Sequence, residues 1–216
     1  MKARKNNIYS PLNPAAFFMI QRRQRMLQRI FAENFPDGLK GLKLLEVGCG
    51  GGQWMLEFAS FGFRFANFAG IEINPERAKI AKERVPLADI REGDASSLPW
   101  QDESFDIVFQ STVFTSVKDM GTKINIANEM KRVCKKTGFI LWYDFKYNNP
   151  SNPDVKGVGR SEIRKLFSTW NCEFHSVTLA PPIARIVVPI SWNLAENMET
   201  FLPMLRTHLI TVIRPF

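Results

Sequence analysis

Four glycines within five positions constrain this chain more than any other feature. In the stretch LLEVGCGGGQW, residues 44–54, an apolar run and an acidic residue lead into Gly48, Gly50, Gly51 and Gly52. This order predicts a buried strand, then a turn too tight for side chains, then the start of a helix. Because such a turn lets a ligand touch the backbone, the stretch predicts a ligand-binding loop at the end of the first strand.

The spacing of the glycines excludes two familiar motifs. A dinucleotide fingerprint, G-x-G-x-x-G, has Gln53 in its last position when counted from Gly48, and Met55 when counted from Gly50. A phosphate-binding P-loop requires Gly-Lys-Ser/Thr, and the first lysine after the glycines is Lys79. The pattern E-x-G-x-G-x-G is filled completely, by Glu46, Gly48, Gly50 and Gly52.

Strands and helices alternate from residue 42 onward. Strands are predicted over 43–47, 66–73, 88–92, 105–110 and 139–145. Helices are predicted between them over 53–60, 74–84 and 118–136, the last with Ile124, Ala127, Met130 and Val133 facing inward. This order predicts an α/β fold with a doubly wound, mainly parallel sheet, whose ligand lies beyond the carboxyl ends of the strands.

The alternation of strands and helices becomes less regular after the fifth strand. A loop over 146–159 is followed by a predicted helix over 161–168, a strand over 172–179, a helix over 193–202 and a last strand over 207–213. The sheet is therefore predicted to have seven strands. Residues 180–191 contain Pro181, Pro182 and Pro189, and we expect no regular helix there.

A helix is predicted near the N-terminus, from Pro14 to about Glu33, with Asn13 as its cap. Residues 1–43 carry nine Lys/Arg and two acidic residues, a net charge of +7 out of +8 for the whole chain. This basic segment predicts contact with nucleic acid, anionic lipid or a phosphorylated substrate, or else a solvated helix face. The sequence leaves these alternatives open.

The chain length of 216 residues predicts one domain, residues 1–216. It is divided into an N-terminal arm and lid helix (1–41), a cofactor-binding core (42–145), and a substrate-side loop with C-terminal strands (146–216). Three widely separated cysteines favour a reducing, cytoplasmic location and no metal site. No run of about 18 apolar residues occurs, so no transmembrane segment is expected.

Five stretches strongly resemble the class I S-adenosylmethionine-dependent methyltransferases, in particular the small-molecule branch that includes the ubiquinone and menaquinone methylases. They are LLEVGCGGGQW, GIEINPERA, EGDASSLPW, SFDIVFQSTVF and EMKRVCKKTGFILWYDF. The resemblance implies a Rossmann-like methyltransferase fold and S-adenosyl-L-methionine as cofactor. By matching position it implies these cofactor-binding residues: Glu46, Gly48, Gly50, Gly52, Glu72, Asp94 and Gln110. Cys49, inside the loop, and Ile73 and Ala95, beside the expected adenine, are further cofactor-binding candidates.

The implied roles follow the chemistry of the cofactor. Glu72, at the end of the second strand, is expected to accept hydrogen bonds from the two ribose hydroxyls, although aspartate is commoner there. Asp94 and Ala95 are expected beside the adenine, with Ile73 covering a ring face. Glu46 is expected to orient the loop or to reach the amino group of the cofactor through water. N-terminal helices often close over the cofactor in this family, which makes Tyr9 and Gln21 candidate lid contacts.

The acceptor side is less well defined by sequence. A hydroxyl acceptor must lose its proton, and Asp144 and Tyr143 at the end of the fifth strand are the catalytic candidates. Substrate-binding candidates are Thr112, Phe114 and Tyr147. We therefore expect methyl transfer to a small or lipid- or sugar-linked acceptor, with two alternatives: an RNA methyltransferase that uses the basic N-terminus, or a non-catalytic S-adenosylmethionine-binding protein. The oligomeric state is unknown.

Overall fold

The computed structural model describes residues 8, 10–148 and 155–216; Tyr9 and the basic residues Lys2, Arg4 and Lys5 lie outside them. The helices are α1 (Pro14–Asn34), α2 (Gln53–Ala59), α3 (Pro75–Arg84), α4 (Val113–Ser116), α5 (Met120–Val133), α6 (Arg160–Leu166), α7 (Pro181–Val187) and α8 (Trp192–Phe201). The strands are β1 (Leu44–Val47), β2 (Phe68–Glu72), β3 (Asp89–Glu92), β4 (Phe105–Ser111), β5 (Cys134–Phe145), β6 (Trp170–Leu179) and β7 (Arg206–Pro215).

The seven strands form one sheet in the order β3-β2-β1-β4-β5-β7-β6. β1 pairs in parallel with both β2 and β4, and the pairs β2–β3 and β4–β5 are also parallel. At the carboxyl end of β1, Val47 is level with Ile71 on one side and Gln110 on the other. Chain order reverses direction at β1, which creates the crevice that ligands of doubly wound sheets occupy. The predicted fold class is confirmed.

The N-terminal helix begins where the sequence predicted. The side-chain oxygen of Asn13 accepts hydrogen bonds from the backbone N–H groups of Ala15 and Ala16, at 3.0 and 3.2 Å. Pro14 follows at the first helical position, where its missing N–H leaves no hydrogen bond unmade. The helix ends at Asn34, one residue beyond the predicted end.

Three predictions about the helices are wrong. Residues 181–187 form a helix although Pro181 and Pro182 are in it, because both prolines stand in its first turn, where no N–H is needed. α5 ends at Val133, and residues 134–138, predicted to close the helix, begin β5 instead. Ile124 on α5 is also exposed, whereas Lys123 is buried.

The chain divides into two compact units. The first contains the described part of residues 1–36 together with Ser176–His208, and its apolar core includes Phe18, Leu179 and Val188. The second contains Asp37–His175 and Leu209–Phe216, and its core surrounds the strand residues Val108 and Trp142. The prediction of a single domain over the whole chain stays a prediction. In the part of the chain that the structure describes, no helix is both long and apolar enough to cross a bilayer.

Candidate cofactor site

The glycine loop between β1 and α2 adopts the conformation that its alternate glycines allow. Gly48, Gly50 and Gly52 have φ angles of +68°, +55° and +75°, in the left-handed region that disfavours other residues. A Cβ atom at Gly48 would lie 2.5 Å from Cγ2 of Val113, and one at Gly50 would lie 2.5 Å from Nη2 of Arg77. The backbone conformation and the close neighbours of the loop therefore require glycine at these positions of the E-x-G-x-G-x-G pattern.

Glu72 fixes this loop from the neighbouring strand. Its Oε2 accepts a hydrogen bond of 2.8 Å from the backbone N–H of Gly50, and its Oε1 accepts one of 3.1 Å from Asn74. The side chain is only 4% exposed. Each carboxylate oxygen retains a second lone pair, so Glu72 can brace the loop and still accept from ribose hydroxyls. The bracing contact was not foreseen from the sequence.

Glu46 lies beneath the loop with an unsatisfied carboxylate. The residue is 1% exposed, and its Oε2 has no hydrogen-bond partner among the described residues. Burial raises the pKa of Glu46 well above its usual range, and the neighbouring charges of Glu72 and Glu57 raise it further, while Arg77 lowers it. Native proteins rarely leave a buried polar atom unpaired, so this oxygen marks a place for a ligand with a positive charge.

Arg77 is a member of this site that the sequence analysis missed. Its Nη1 lies 3.8 Å from Oε1 of Glu72, and its guanidinium covers the Cα of Gly50. It stands in the first turn of α3, whose cap Asn74 accepts from the N–H of Arg77 at 3.0 Å. The signal was available in the stretch GIEINPERA, because a cationic residue three positions after a helix cap lies close to the strand end that precedes the cap.

The predicted adenine contacts follow β2 and β3 at the same edge of the sheet. Ile73 is 71% exposed, an unusual position for an isoleucine and one that offers an apolar surface to a ring. Asp94 is exposed, and its Oδ1 accepts hydrogen bonds from the Ser96 N–H at 2.8 Å and the Ser96 hydroxyl at 2.5 Å. These bonds lower the pKa of Asp94. Ala95 beside it is half-buried.

Cys49, inside the loop, is buried, and its thiol points toward the carbonyl oxygen of Gly50 at 3.9 Å. Burial, followed by the charges of Glu46 and Glu72, raises the pKa of Cys49 to about 12. Because the thiolate is the reactive form of cysteine, this residue is a small packing side chain and not a nucleophile at neutral pH.

The ends of β4 and β5 carry Gln110, a predicted cofactor contact, and the residues assigned to the acceptor side. Gln110 is wholly buried, and its Oε1 accepts from the backbone N–H of Val113 at 3.1 Å. Thr112 has a φ angle of +59°, strained for a residue with a branched side chain, and its N–H donates to the carbonyl of Tyr143 at 3.0 Å. Strained backbone of this kind is common at functional sites.

Asp144 is wholly buried at the end of β5. Its Oδ1 accepts from the N–H of Phe145 at 2.8 Å, and its Oδ2 accepts from the N–H of Thr115 at 3.3 Å. Burial raises the pKa of Asp144 to about 7, against the lowering effect of the hydrogen bonds from Thr115 and Phe145. A carboxylate with this pKa is suited to accept a proton near neutral pH, and its bonds to backbone also brace the start of α4.

The other acceptor-side candidates differ in position and in burial. Tyr143 precedes it in the strand, so its side chain lies on the opposite face of the sheet, where its ring centroid is 5.4 Å from that of Trp54. Phe114 is wholly buried, 4.4 Å from the Trp142 ring, and presents no surface to a substrate. Tyr147 is 53% exposed. This geometry does not favour Phe114 as a substrate contact, and the other assignments stay predictions.

The described residues fit S-adenosylmethionine in charge and hydrogen-bonding capacity. The glycines of the loop at the end of β1 leave backbone open to a ligand, and the unpaired carboxyl oxygen of Glu46 suits the positive charges of the cofactor. Glu72 could hold the ribose, and Ile73 and Asp94 the adenine. No group of three or more metal-ligating side chains occurs among the residues that the structure describes.

Comparison with known proteins agrees with this fold. Residues 45–142 match the family described as methyltransferase domain. A SAM-dependent methyltransferase from Methanosarcina mazei has a similar structure, with a TM-score of 0.63 and 19% identity over 87% of this chain and 97% of that one. A second structural neighbour is the [4+2]-cyclase SpnF, with a TM-score of 0.60 and 17% identity over 88% of this chain and 80% of that one. At these identities the structural likeness concerns the fold alone.

Sequence relatives point to the same class. A sterol 4-C-methyltransferase of Caenorhabditis elegans is 30% identical over 118 residues, which are 52% of this chain and 34% of that protein. A demethylmenaquinone methyltransferase of Staphylococcus aureus is 29% identical over 105 residues, 47% of this chain and 42% of that protein. The chain spans less than half the length of these two curated relatives. The predicted resemblance to the class I S-adenosylmethionine-dependent methyltransferases is confirmed over residues 45–142, which match the methyltransferase domain. The predicted cofactor, S-adenosyl-L-methionine, is supported by the same findings.

Proposed function

We propose that the protein transfers a methyl group from S-adenosylmethionine to a small or lipid- or sugar-linked acceptor, and that the acceptor atom is a hydroxyl oxygen. The observation that carries the cofactor half of this proposal is the buried, unpaired Oε2 of Glu46 beneath the glycine loop. The matched methyltransferase domain, residues 45–142, contains all the proposed cofactor contacts.

Within the site, each residue has a distinct proposed role. Gly48, Gly50 and Gly52 let the backbone approach the cofactor, Glu46 holds its amino group, and Glu72 holds its ribose. The cofactor supplies a methyl group that is already activated on a sulfonium. The protein therefore has to bind, orient and exclude water, and orientation alone can supply roughly 7 to 11 kcal/mol of rate enhancement in favourable cases.

The hydroxyl acceptor rests on Asp144. It has a pKa of about 7 at the carboxyl end of β5, which suits it to take a proton from an acceptor hydroxyl. Because Asp144 is wholly buried in the free protein, this role requires that acceptor binding open a path to its carboxyl group. Tyr143, Thr112 and Tyr147 remain proposed acceptor contacts. The names of the relatives support small-molecule or lipid acceptors, but one of them, the sterol 4-C-methyltransferase, names carbon as its methylated atom. The acceptor atom therefore has to be tested directly.

Cofactor binding is tested by calorimetry with S-adenosylmethionine. Gly50→Val, which puts a branched side chain where Arg77 lies, and Glu72→Ala, which removes the loop brace, should each weaken binding by at least about tenfold. Unchanged binding in both variants would refute the cofactor site. Gly41→Val is the matched control, because nothing lies within 4 Å of a Cβ at Gly41.

The acceptor is tested with S-adenosylmethionine labelled in its methyl group. We expect label on oxygen when a panel of hydroxyl-bearing lipids, quinols and sugars is supplied, with mass spectrometry locating the methyl. Label on carbon or nitrogen would disprove the hydroxyl assignment while leaving the enzyme class intact. Bound cofactor with no product across the panel would favour the non-catalytic alternative, and label in RNA would favour the RNA alternative. The cytoplasmic location stays a prediction.

A further inference from the structure

A cavity of about 220 Å³ lies within the first compact unit and shares no residue with the cofactor site. Its walls contain one carboxylate, Glu199, and the four arginines Arg22, Arg25, Arg29 and Arg206. Three of the arginines come from α1 at positions i, i+3 and i+7, a spacing that places them on one face of the helix. The basic N-terminal segment seen in the sequence thus contributes to a defined cavity.

Arg206 is held in this cavity without being neutralised. Its Nε, Nη1 and Nη2 donate to the backbone carbonyls of Glu199, Ser176 and Thr200, at 2.7, 3.2 and 3.2 Å. No carboxylate among the described residues lies within ion-pair distance of Arg206. Neutral carbonyl oxygens accept from three of its five N–H donors. The guanidinium is therefore fixed in place, and two N–H donors are left for an anion.

Both oxygens of the carboxylate in the cavity wall already have a protein partner. Oε2 of Glu199 lies 2.6 Å from Nε of Arg22, and Oε1 accepts from the N–H of Thr178 at 3.0 Å. Glu196 lies 3.4 Å from Arg22 and 3.2 Å from Arg25, and Glu33 lies 2.7 Å from Arg29. The side chains of Arg25 and Arg29 are 66% and 68% exposed, so solvent weakens their pairs. Four arginines against these three carboxylates leave a net charge of +1 around the cavity.

We propose that this cavity binds a phosphate group, carried by a lipid headgroup or by a soluble phosphate compound. The planar guanidinium forks of several arginines match the oxygens of a phosphate. A volume of about 220 Å³ is below the roughly 300–1,000 Å³ of sites that enclose whole small ligands, so the cavity suits a group and not an entire metabolite.

The surroundings of the cavity distinguish the two sources. Between Glu199 and Arg206, which both line it, the chain exposes Phe201 and Met204, which are 75% and 66% accessible. Apolar side chains beside a cationic cavity are the arrangement with which a peripheral protein holds an anionic bilayer surface. A soluble phosphate compound would use the arginines alone.

The experiment titrates the full-length protein with inorganic phosphate and with pyrophosphate by calorimetry at low salt. Arg25→Gln combined with Arg29→Gln should weaken binding by at least about tenfold, since two charge-assisted contacts are lost. Arg64→Gln removes the same charge from an exposed position in the second unit and should leave binding unchanged. Thermal melting of each variant checks folding, and Arg206→Lys, which keeps the charge and loses the fork, is the second test variant.

Co-sedimentation identifies the source of the phosphate. Binding to phosphatidylcholine vesicles that contain phosphatidylglycerol, but not to phosphatidylcholine alone, with loss in Arg25→Gln/Arg29→Gln and in Phe201→Ser, indicates a lipid headgroup. Binding of soluble phosphate without vesicle binding indicates a soluble compound. The proposal is overturned if Arg25→Gln/Arg29→Gln binds phosphate as tightly as Arg64→Gln, or if only RNA binds. Cofactor binding, measured separately, keeps this result independent of the proposed methyl transfer.

Discussion

Glu46→Gln is the substitution that tests the proposed cofactor site most sharply. The carboxylate is buried, its Oε2 is unpaired, and its pKa is raised well above the usual range by burial and then by Glu72. Glutamine has nearly the same shape and no charge. The substitution should therefore relieve a cost in the free protein and remove a binding contact at the same time.

The two effects have opposite signs. Burial and the charge of Glu72 disfavour the ionised carboxyl, and glutamine carries no charge, so the free energy of unfolding should rise in the pH range where Glu46 ionises. The amide leaves a polar atom in the same place, so the cost of an unpaired polar group is not relieved. A hydrogen bond to a charged group is worth about 1.5 to 3 kcal/mol, so the affinity for S-adenosylmethionine should fall roughly 10- to 150-fold.

The pH dependence follows from the direction of the shift. A carboxyl whose pKa is raised by folding contributes stability that is fully present below its unfolded pKa, near 4.5, and is lost as the pH rises through the folded value. Urea unfolding of the cofactor-free protein should thus show less decline in stability toward alkaline pH in Glu46→Gln than in the wild type.

Calorimetry with two ligands separates the possible contacts of Glu46. S-adenosylhomocysteine keeps the amino group of the cofactor and lacks the sulfonium charge. If Glu46 holds the amino group, Glu46→Gln lowers the affinity for both ligands equally. If Glu46 faces the sulfonium, the substitution lowers only the affinity for S-adenosylmethionine. Glu83→Gln, at an exposed position on α3, is the matched control. Unchanged affinity for both ligands would refute the reasoning.

Three further predictions concern the same region. Gly52→Ala should lower the free energy of unfolding by roughly 2 to 5 kcal/mol in urea titrations, from left-handed strain and a contact of 2.7 Å with Val85, whereas Gly41→Ala should change it by less than about 1 kcal/mol. Asp144→Asn should flatten the pH dependence of stability. Because folding raises the pKa of the Asp144 carboxyl to about 7, its ionisation lowers the free energy of unfolding of the wild type by about 4 kcal/mol between about pH 4 and pH 8. Comparable pH profiles in both proteins would contradict this. Cys49, with a pKa of about 12, should resist iodoacetamide at pH 8 in the folded protein, as measured by mass spectrometry; rapid alkylation would show that the thiol is not buried as described.

Much of the fold could be predicted because its signals are local. Asn13 and Pro14 mark the start of α1, and the alternation of apolar strands with helices predicts a mainly parallel sheet. The glycine spacing carries even more information, because each of Gly48, Gly50 and Gly52 stands at a left-handed position. Such signals depend on a few neighbouring residues and can be recognised without knowledge of the tertiary structure.

The errors arise where distant residues decide the outcome. Lys123 occupies an inward position on α5 because its Nζ lies 2.6 Å from Glu162, a partner 39 residues away. A reading by apolar periodicity placed Ile124 there instead. Tyr143 and Asp144, the catalytic candidates at the end of the fifth strand, point to opposite faces of the sheet because they are consecutive strand residues, and their assignment stays a prediction.

The lack of a hydrogen-bond partner at Oε2 of Glu46 also depends on residues that are distant in sequence. On β1 it is level with Gly70 on one side and Phe109 on the other, so neither neighbouring strand offers it a hydrogen-bond donor from a side chain. Gly70 has no room for a donor, because a Cβ there would lie 2.7 Å from Cε of Met55 and 2.9 Å from Sγ of Cys49. The packing of α2 and the loop against the sheet thus withholds a partner from Glu46. A buried carboxylate deprived of protein donors in this way is left to pair with a cationic ligand, and this is the physical reason for placing the cofactor at the glycine loop.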